Sequence, residues 1–321
     1  MHVGIIGGSG FIGTRLTARL LEDGHEIRII DKATSETYPE LTTVCDVRDA
    51  PGLTRAFEGL DAVYNLAAEH RDDVRPISLY DEVNVDGARN TCTAAEAAGV
   101  DRIVFASSVA IYGFPEGVPG EEAPQRPFND YGRTKLEAEK VFEGWIEGHP
   151  ERSLTVVRPT VVFGEGNRGN VYNLLRQIAR GPFLMVGDGS NRKSMAYVEN
   201  VAAFFQFALG LGTGHHIFNY VDKPDYDMNR LVASINTALG RSPKPGLRLP
   251  YALGYAAGLA ADAVAALVRR PLPFSRIRVQ KFCASTEFSS EKAMSSGFKP
   301  PIDLEDALQR TIAHEFGSDA A

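Results

Sequence analysis

The stretch NDYGRTKLEAEKV (129–141) places a tyrosine and a lysine four residues apart, Tyr131 and Lys135. On a helix this spacing puts both side chains on one face. A phenol with a pKa of about 10 is a weak base at neutral pH, but a nearby ammonium group stabilises the phenolate and lowers that pKa. The pair could therefore exchange a proton with a substrate hydroxyl. The same spacing is common on solvated helix faces, so the neighbouring segments decide its meaning.

Two serines follow a short apolar run in FASSVAIYG (105–113), Ser107 and Ser108. We interpret RIVFA (102–106) as a strand, and ligands bind parallel α/β sheets at the carboxyl ends of their strands. At that position the Ser108 hydroxyl could hydrogen-bond the same substrate oxygen as Tyr131. The three side chains would then form one catalytic set.

A cofactor site is indicated by GIIGGSGFIGTRL (4–16), in which Gly7, Gly10 and Gly13 follow a predicted strand and open a predicted helix. Glycine permits the tight turn and lets a pyrophosphate approach the backbone at the helix N-terminus. Asp31 closes the second predicted strand, 18 residues after Gly13. A carboxylate there can accept from both ribose hydroxyls, which favours NAD over NADP, although Lys32 beside it weakens this preference. The alternative interpretation is a surface aspartate that ends a strand.

These residues require a parallel sheet to position them. The predicted strands are HVGII (2–6), EIRII (26–30), TTVC (42–45), AVYNL (62–66), RIVFA (102–106) and LTVVR (154–158), separated by helical segments such as 11–23, 85–99 and 132–147. This alternation predicts an α/β fold, a Rossmann-type doubly wound parallel sheet covered on both faces.

The second half of the chain has a different sequence pattern, with more Gly and Pro and fewer predicted strands. Its predicted helices lie near 170–180, 199–210, 227–239, 251–268 and 303–316. We therefore predict an NAD-binding domain over 1–165, to which about 193–222 returns, and a smaller, mostly helical substrate region over 166–321 that includes an apolar and basic segment at 251–281.

Composition excludes several functional classes. The 321 residues carry a net charge of -7, and the pI near 5.6 argues against nucleic-acid binding. Three scattered cysteines, Cys45, Cys92 and Cys283, predict neither a disulfide framework nor a metal site. The N-terminus lacks the pattern of a signal peptide, so we expect a cytoplasmic protein.

Further short segments match the sequence motifs of a known protein family. They are DV (46–47), NLAA (65–68), NVDG (84–87), SSVAIYG (107–113), YGRTK (131–135), RPTVVFG (158–164) and GDGSNRKSMAYVENVA (187–202). With the glycines and Asp31, they resemble the extended short-chain dehydrogenase/reductase family of nucleotide-sugar epimerases and dehydratases. The resemblance implies Tyr131 as acid/base, Ser108 as its hydrogen-bond partner and Lys135 on the nicotinamide ribose. It implies NAD contacts at Gly7, Gly10, Phe11, Ile12, Gly13, Asp31, Asp46, Val47, Leu66, Ala67, Ala68, Asn84, Ser107, Tyr131, Lys135 and Pro159, with Asp46 and Val47 at the adenine and Asn84 ordering the site.

Differences from related enzymes of this family restrict the reaction that the resemblance implies. Dehydratases of this family follow the active-site Ser or Thr with Asp-Glu, and decarboxylating relatives keep the Glu, whereas this chain has Val109 and Ala110. The resemblance therefore implies oxidation and re-reduction at one carbon. Tyr131 takes the C4 hydroxyl proton, a 4-keto sugar turns its other face, and the net result is epimerisation with NAD regenerated in each cycle.

The sugar carrier is indicated by a second set of departures. Many epimerases of soluble nucleotide sugars have Arg-Asp where this chain has Lys193-Ser194, and an Asn is replaced near Thr160 and Val161. The segments AAEHRDDV (67–74), NRGNVYNLL (167–175), KSMAYV (193–198), NYVDKPD (219–225) and IRVQKFCAST (277–286) resemble epimerases of N-acetylglucosamine linked to undecaprenyl diphosphate.

That subgroup implies interconversion of GlcNAc and GalNAc on the lipid carrier, for O-antigen or related polysaccharide synthesis. It also implies substrate contacts at Ser108, Lys193, Asn170 and Arg168. The alternatives are a UDP-sugar 4-epimerase (UDP-GlcNAc or UDP-glucose) and a membrane-associated hydroxysteroid-type dehydrogenase. Relatives commonly form homodimers through helices corresponding to about 80–99 and 131–147.

The segment 251–281 has two interpretations. Residues 251–268 contain one charge, Asp262, and 269–281 contain five basic residues and no acid. Eighteen helical residues rise about 27 Å, short of a hydrocarbon core of about 30 Å, and Asp262 would be costly at its centre. The helix could lie on the inner face of the cytoplasmic membrane, held by its basic cluster, as a lipid-linked substrate would require. Alternatively it is a buried helix, with Gly254 and Gly258 permitting close packing.

Overall fold

The computed structural model describes residues 1–71, 73–114, 116–181, 183–244, 246–268 and 275–317. The chain forms two compact units, of which the first contains Met1–Val162, Ala196–Asp222 and Phe288–Ile302, and the second contains Phe163–Met195, Lys223–Glu287 and Asp303–Ala321. The first unit therefore includes a late segment, Phe288–Ile302, that the sequence pattern did not assign to the NAD-binding domain.

The elements of the described residues follow in chain order. The strands are β1 (His2–Ile6), β2 (Glu26–Asp31), β3 (Thr42–Val44), β4 (Ala62–Asn65), β5 (Arg102–Ala106), β6 (Ser153–Pro159), β7 (Val161–Phe163), β8 (Met185–Val186), β9 (Arg192–Tyr197), β10 (Gly214–Tyr220), β11 (Asp222–Asp227) and β12 (Arg248–Leu249). The helices are α1 (Phe11–Glu22), α2 (Ala50–Ala56), α3 (Ser78–Tyr80), α4 (Gly87–Ala98), α5 (Asp130–Ile146), α6 (Asn170–Ala179), α7 (Val198–Leu209), α8 (Met228–Ala238), α9 (Tyr251–Val268), α10 (Arg276–Cys283), α11 (Glu291–Ser295) and α12 (Leu304–Phe316).

Seven parallel strands form the sheet of the first unit, in the order β10-β6-β5-β4-β1-β2-β3. All seven residues of β6 are buried, as expected for strands covered on both faces. Apolar side chains of α1 and α7 pack on one face of the sheet, and those of α2, α4 and α5 pack on the other. The predicted doubly wound α/β fold is confirmed.

The parallel arrangement brings the carboxyl ends of the strands to one edge of the sheet. Asp31 ends β2, Ser107 and Ser108 follow β5, and Pro159 ends β6. Residues separated by more than a hundred positions thus share one edge, where ligands bind in such sheets.

The helix predicted over 85–99 corresponds to α4, and other helical turns lead into it from Ser78. A π-helical turn over Asp81–Asp86 precedes α4, and Asn84 lies within it. Such turns interrupt the regular hydrogen-bond pattern and frequently occur at functional sites. Here the turn carries one of the predicted cofactor residues.

The second unit contains α6, α8, α9, α10 and α12 with the short parallel pair β8 and β12. Helices α9 and α10 pack as a hairpin at Gly258, where an added Cβ would lie 2.7 Å from the Arg276 nitrogen. At Gly254 an added Cβ would lie 2.5 Å from Val186 Cγ1. Within the described ranges, no helix combines the length and hydrophobicity that a membrane span requires.

Candidate active site

The glycine-rich turn packs so closely against its own backbone that it cannot accommodate side chains. Gly7 has a φ of 76°, and a Cβ there would lie 2.7 Å from the Ala67 nitrogen. At Gly13 a Cβ would lie 2.6 Å from the Gly8 Cα. Helix α1 begins at Phe11 after a Gly10 cap that makes no side-chain hydrogen bond, and its first turn contains no acid. The helix N-terminus can therefore accept a pyrophosphate.

Asp31 lies beside this turn at the end of β2. Its Oδ2 accepts from the Ser9 backbone nitrogen at 3.0 Å, and its Oδ1 accepts from the Ala33 nitrogen at 3.3 Å. These bonds fix the carboxylate next to the phosphate-binding turn, where a ribose would lie. The geometry suits the predicted role, and Lys32 points toward a different partner, since its Nζ lies 3.5 Å from Glu69.

Asp46 and Val47 follow β3. Both oxygens of Asp46 accept from Arg48, from Nε at 3.0 Å and from Nη2 at 2.8 Å, and these bonds lower the pKa of Asp46. Val47 is buried against Gly87, where an added Cβ would lie 3.0 Å from the valine methyl groups. Asn90 holds the Val47 carbonyl at 3.0 Å. Contact of this pair with the adenine stays a prediction.

The segment after β4 is held by Asn84. The Asn84 side chain accepts from the Glu69 nitrogen at 2.8 Å and donates to the Glu69 carbonyl at 3.0 Å and to the Thr134 hydroxyl at 2.9 Å. Leu66 remains bonded to β1 through the Ile6 carbonyl at 2.9 Å. One buried amide therefore joins the segment containing Ala67 and Ala68 to helix α5, which carries Tyr131 and Lys135. This supports the ordering role predicted for Asn84.

The Ser108 hydroxyl lies close enough to Tyr131 to influence the pKa of the phenol. Ser108 adopts an extended conformation after β5, and its Oγ accepts from the Ala110 nitrogen at 3.1 Å. Burial raises the pKa of Tyr131, and the nearby Ser108 side chain opposes that increase. The pKa therefore moves in the direction opposite to the one expected from a neighbouring ammonium group, because loss of hydration penalises the phenolate.

Lys135 is buried on the next turn of α5, with its Nζ 4.4 Å from the centre of the Phe105 ring. Burial lowers the pKa of Lys135 to about 7, and the Glu139 carboxylate opposes that decrease. The lysine is therefore poised to change protonation near neutral pH, so its charge depends on the groups around it.

A buried ionic network, not predicted from the sequence, lies behind these residues. Arg158 and Glu139 are 0 % and 1 % exposed, and the guanidinium donates to both carboxylate oxygens at 3.0 and 2.6 Å. Glu139 also accepts from the Ser107 hydroxyl, and Arg158 donates to the Tyr112 hydroxyl at 2.7 Å. The network joins the ends of β5 and β6 to α5. Its sequence signal was a glutamate four residues after Lys135.

The other predicted substrate residues, Arg168, Asn170 and Lys193, lie in the second unit. Arg168 pairs with Glu315 at 2.5 Å and lies 4.4 Å from the centre of the Tyr172 ring. Lys193 donates to the Ala284 carbonyl at 2.5 Å, and burial lowers its pKa to about 8. Asn170 is the exposed first residue of α6. Both cations therefore have partners within their own unit, and their contact with substrate stays a prediction.

Residues 3–220 match the description of the NAD dependent epimerase/dehydratase family. The chain belongs to that family. NAD is accordingly its cofactor, and the tight glycine turn, the N-terminus of α1 without an acidic residue and the Asp31 carboxylate beside the turn fit NAD in this structure.

Among the relatives of this epimerase-family chain, an N-acetyl-alpha-D-glucosaminyl-diphospho-ditrans,octacis-undecaprenol 4-epimerase of Escherichia coli O157:H7 is 49% identical over 98% of this chain and 95% of its own. A 3-beta-hydroxysteroid dehydrogenase of Mycolicibacterium neoaurum is 28% identical over 97% and 90%. A UDP-glucose 4-epimerase of Thermus thermophilus, solved with NAD, superposes with a TM-score of 0.75 at 24% identity over 98% of both chains. The last likeness shows the shared fold.

Proposed function

We propose that this protein is an NAD-dependent 4-epimerase that interconverts GlcNAc and GalNAc on undecaprenyl diphosphate. The observation that carries the proposal is the 49% identity, over nearly the whole chain, to a relative named for that activity. The site supports it, because the Ser108 side chain lies near Tyr131 at the sheet edge and Val109 and Ala110 replace the acidic pair that a dehydratase needs.

Each side chain has a role in this reaction. NAD held by the Gly7 turn and Asp31 would supply hydride acceptance and return at C4 of the sugar. Tyr131 takes the C4 hydroxyl proton and gives it back, while Ser108 holds the same oxygen. Lys135 holds the nicotinamide ribose and, when protonated, stabilises the Tyr131 phenolate. Because burial raises the pKa of Tyr131, a positive charge near the phenolate would help it to act as a base.

Two other functions use the same residues. A UDP-sugar 4-epimerase would share the chemistry and differ in the carrier, and the solved UDP-glucose 4-epimerase supports the common fold alone. A hydroxysteroid-type dehydrogenase would release NADH, and the relative of that name is 28% identical. The lower identity favours the lipid-linked sugar.

Parallel assays with undecaprenyl-diphosphate-GlcNAc and UDP-GlcNAc, each with a catalytic amount of NAD, separate these functions. We expect conversion of the lipid-linked sugar without net NADH. Tyr131→Phe is the matched inactive control, because it removes one hydroxyl from the site. Conversion of UDP-GlcNAc alone would favour the soluble carrier, and NADH accumulation with a sterol would favour the dehydrogenase.

We further propose that the enzyme works at the inner face of the cytoplasmic membrane, in synthesis of O-antigen or a related surface polysaccharide. The basic residues of 269–281 support this location, because cations near an anionic leaflet contribute about 1 kcal/mol each. Arg269 and Arg270 lie outside the described residues, and so do the side chains of Arg278 and Lys281.

We also propose a homodimer formed through the helices near 80–99 and 131–147. Both helical segments lie in the first unit. Light scattering after gel filtration tests the assembly, and a monomeric mass at assay concentrations would contradict it.

A further inference from the structure

Helix α9 has an unusual outward side. Its exposed aliphatic residues are Ala252, Leu253, Ala256, Ala257, Leu259, Ala260, Ala263, Val264 and Val268. Leu253, Leu259 and Val264 are 58%, 46% and 49% exposed. A surface helix of a globular protein normally turns polar residues outward. Among the described side chains of α9 beyond Tyr251, every exposed one is aliphatic. We call these nine residues the α9 face.

The inward side of the helix carries the features that suggested a buried helix. Gly254 and Gly258 lie against Val186 and the start of α10. Asp262 also turns inward, where its carboxylate accepts from the Arg276 backbone nitrogen at 3.2 Å. The one acid of α9 therefore caps α10 and is absent from the α9 face. The buried-helix interpretation describes this inward side, and the membrane interpretation concerns the opposite side.

Charge indicates what covers the α9 face. Residues 248–281 contain six basic residues and one acid, Asp262. Arg248 and Arg276, whose side chains the structure describes, are both exposed. A second copy of the chain would bring two such basic sets together, and like charges across an interface are costly. An anionic leaflet offers the opposite charge beside an apolar interior.

We propose that the α9 face inserts into the acyl region of an anionic membrane leaflet, with the α9–α10 hairpin lying in the plane of the membrane. Ile277 on α10 is a further exposed apolar side chain of the hairpin, 52% exposed. The burial of apolar side chains would contribute most of the binding free energy of this attachment, and the attraction of the basic residues to the lipid charge would contribute less. It differs from attachment by the basic cluster alone, which salt would abolish.

The same hairpin forms one wall of a cavity in the second unit. The cavity has a volume of about 860 Å³ and is lined by Tyr251 from α9, by Gln280 and Cys283 from α10 and by Arg248 before them. A headgroup at the membrane surface could meet this cavity while its lipid chain stays in the leaflet. This link to a lipid-linked sugar rests on the proposed function, whereas insertion of the α9 face does not.

Tryptophan fluorescence with brominated lipids tests the insertion. The chain has one tryptophan, Trp145, which is 4% exposed and provides a constant background. Leu259→Trp and Val264→Trp place a reporter on the α9 face, and Leu21→Trp is the matched control on the first unit, where Leu21 is 37% exposed.

On vesicles of phosphatidylglycerol and phosphatidylcholine, we expect both α9 reporters to be quenched and the Leu21 reporter to be unaffected. Bromines near the headgroup end of the chains should quench more strongly than bromines near the terminal methyl, because an in-plane helix lies about 5–10 Å deep. Quenching of no α9 reporter would overturn the proposal. A lipid-independent blue shift that grows with protein concentration would assign the α9 face to a second copy and overturn it too.

A second measurement uses the double variant Leu259→Glu, Val264→Glu. Vesicle partitioning should fall by at least roughly tenfold at both low and high salt, because two apolar side chains become charged. The matched variant Arg276→Gln should weaken binding at low salt only. Melting temperatures should match the wild type, since both altered side chains face outward. Wild-type-like partitioning by the double glutamate variant would contradict insertion.

Enzyme assays keep this inference separate from the proposed function. The double glutamate variant should lose activity on undecaprenyl-diphosphate-GlcNAc in vesicles and keep activity on a short-chain, water-soluble analogue. If the wild type epimerises neither substrate but its α9 reporters are quenched, the proposed function fails and insertion stands. If the wild type is active on both and no reporter is quenched, insertion fails and the proposed function stands.

Discussion

Replacing Glu139 by Gln should destabilise the first unit, because the Arg158 guanidinium would remain buried without its counter-charge. Arg158 is 0 % exposed, and the two bonds to Glu139, at 2.6 and 3.0 Å, would lose their ionic character. Breaking one side of a buried ion pair costs about 3–5 kcal/mol. Arg158 keeps its bonds to the Tyr112 hydroxyl at 2.7 Å and the Glu121 carbonyl at 3.0 Å. We therefore expect the lower end, about 3 kcal/mol.

The matched control is the double variant Glu139→Gln, Arg158→Met. It removes both charges and keeps most of the volume, and apolar replacement of a buried pair is often neutral. Urea denaturation of wild type, single and double variants measures the free energy of unfolding. We expect the double variant to regain most of the loss. A single variant as stable as the wild type, or a double variant less stable than the single one, would refute this reasoning.

The same two variants test the effect of Glu139 on Lys135. The carboxylate opposes the decrease that burial causes in the pKa of Lys135, which is about 7, so removing it should lower that pKa further. If protonated Lys135 holds the nicotinamide ribose, NAD affinity declines as pH rises through its pKa in the free enzyme. The decline should therefore begin at a lower pH in both variants, and Lys135→Met should abolish it. Titration calorimetry with NAD across pH measures this. An unchanged profile in the stable double variant would restrict Glu139 to a structural role.

Four further substitutions have defined outcomes. Tyr131→Phe should lower kcat by at least about 10²-fold while NAD still binds, because it removes the proton-transfer group, and Ser108→Ala should be milder; steady-state rates and NAD titration check both. Asp31→Asn should weaken NAD binding and shrink the preference over NADP, which parallel titrations with the two cofactors measure. Burial raises the pKa of Asp222 to about 6, so the folded state holds a proton that the unfolded state releases near pH 4, and stability should fall as pH rises from about 4 to 6. Asp222→Asn should remove that fall in denaturation curves measured across this range.

Much of the fold and of the cofactor site follows from short-range sequence patterns. The six predicted strands correspond to β1 through β6, because continuous apolar runs between helical segments identify buried parallel strands. The Gly7 turn, Asp31 and the Ser108–Tyr131 set could be predicted for a related reason. Each depends on a spacing within one element or on the position where a strand ends, and a parallel sheet brings those ends together.

Other features depend on which elements pack together. The Glu139–Arg158 pair joins α5 to β6. The sequence alone does not indicate which of the chain's arginines will pair with Glu139. The resemblance implied substrate contact at Arg168, whose side chain pairs with Glu315, far along the chain on α12.

The clearest case is Asp262, which the sequence presents as a charge in the middle of an apolar helix. The packing of α10 against α9 places the Arg276 nitrogen beside it, so its carboxylate faces inward and the exposed aliphatic side chains lie on the opposite side of α9. Periodicity determines that residues 251–268 form a helix, because helical spacing is a local property. Which side of that helix is covered was decided only by tertiary packing, since the partner of each side chain comes from another part of the chain.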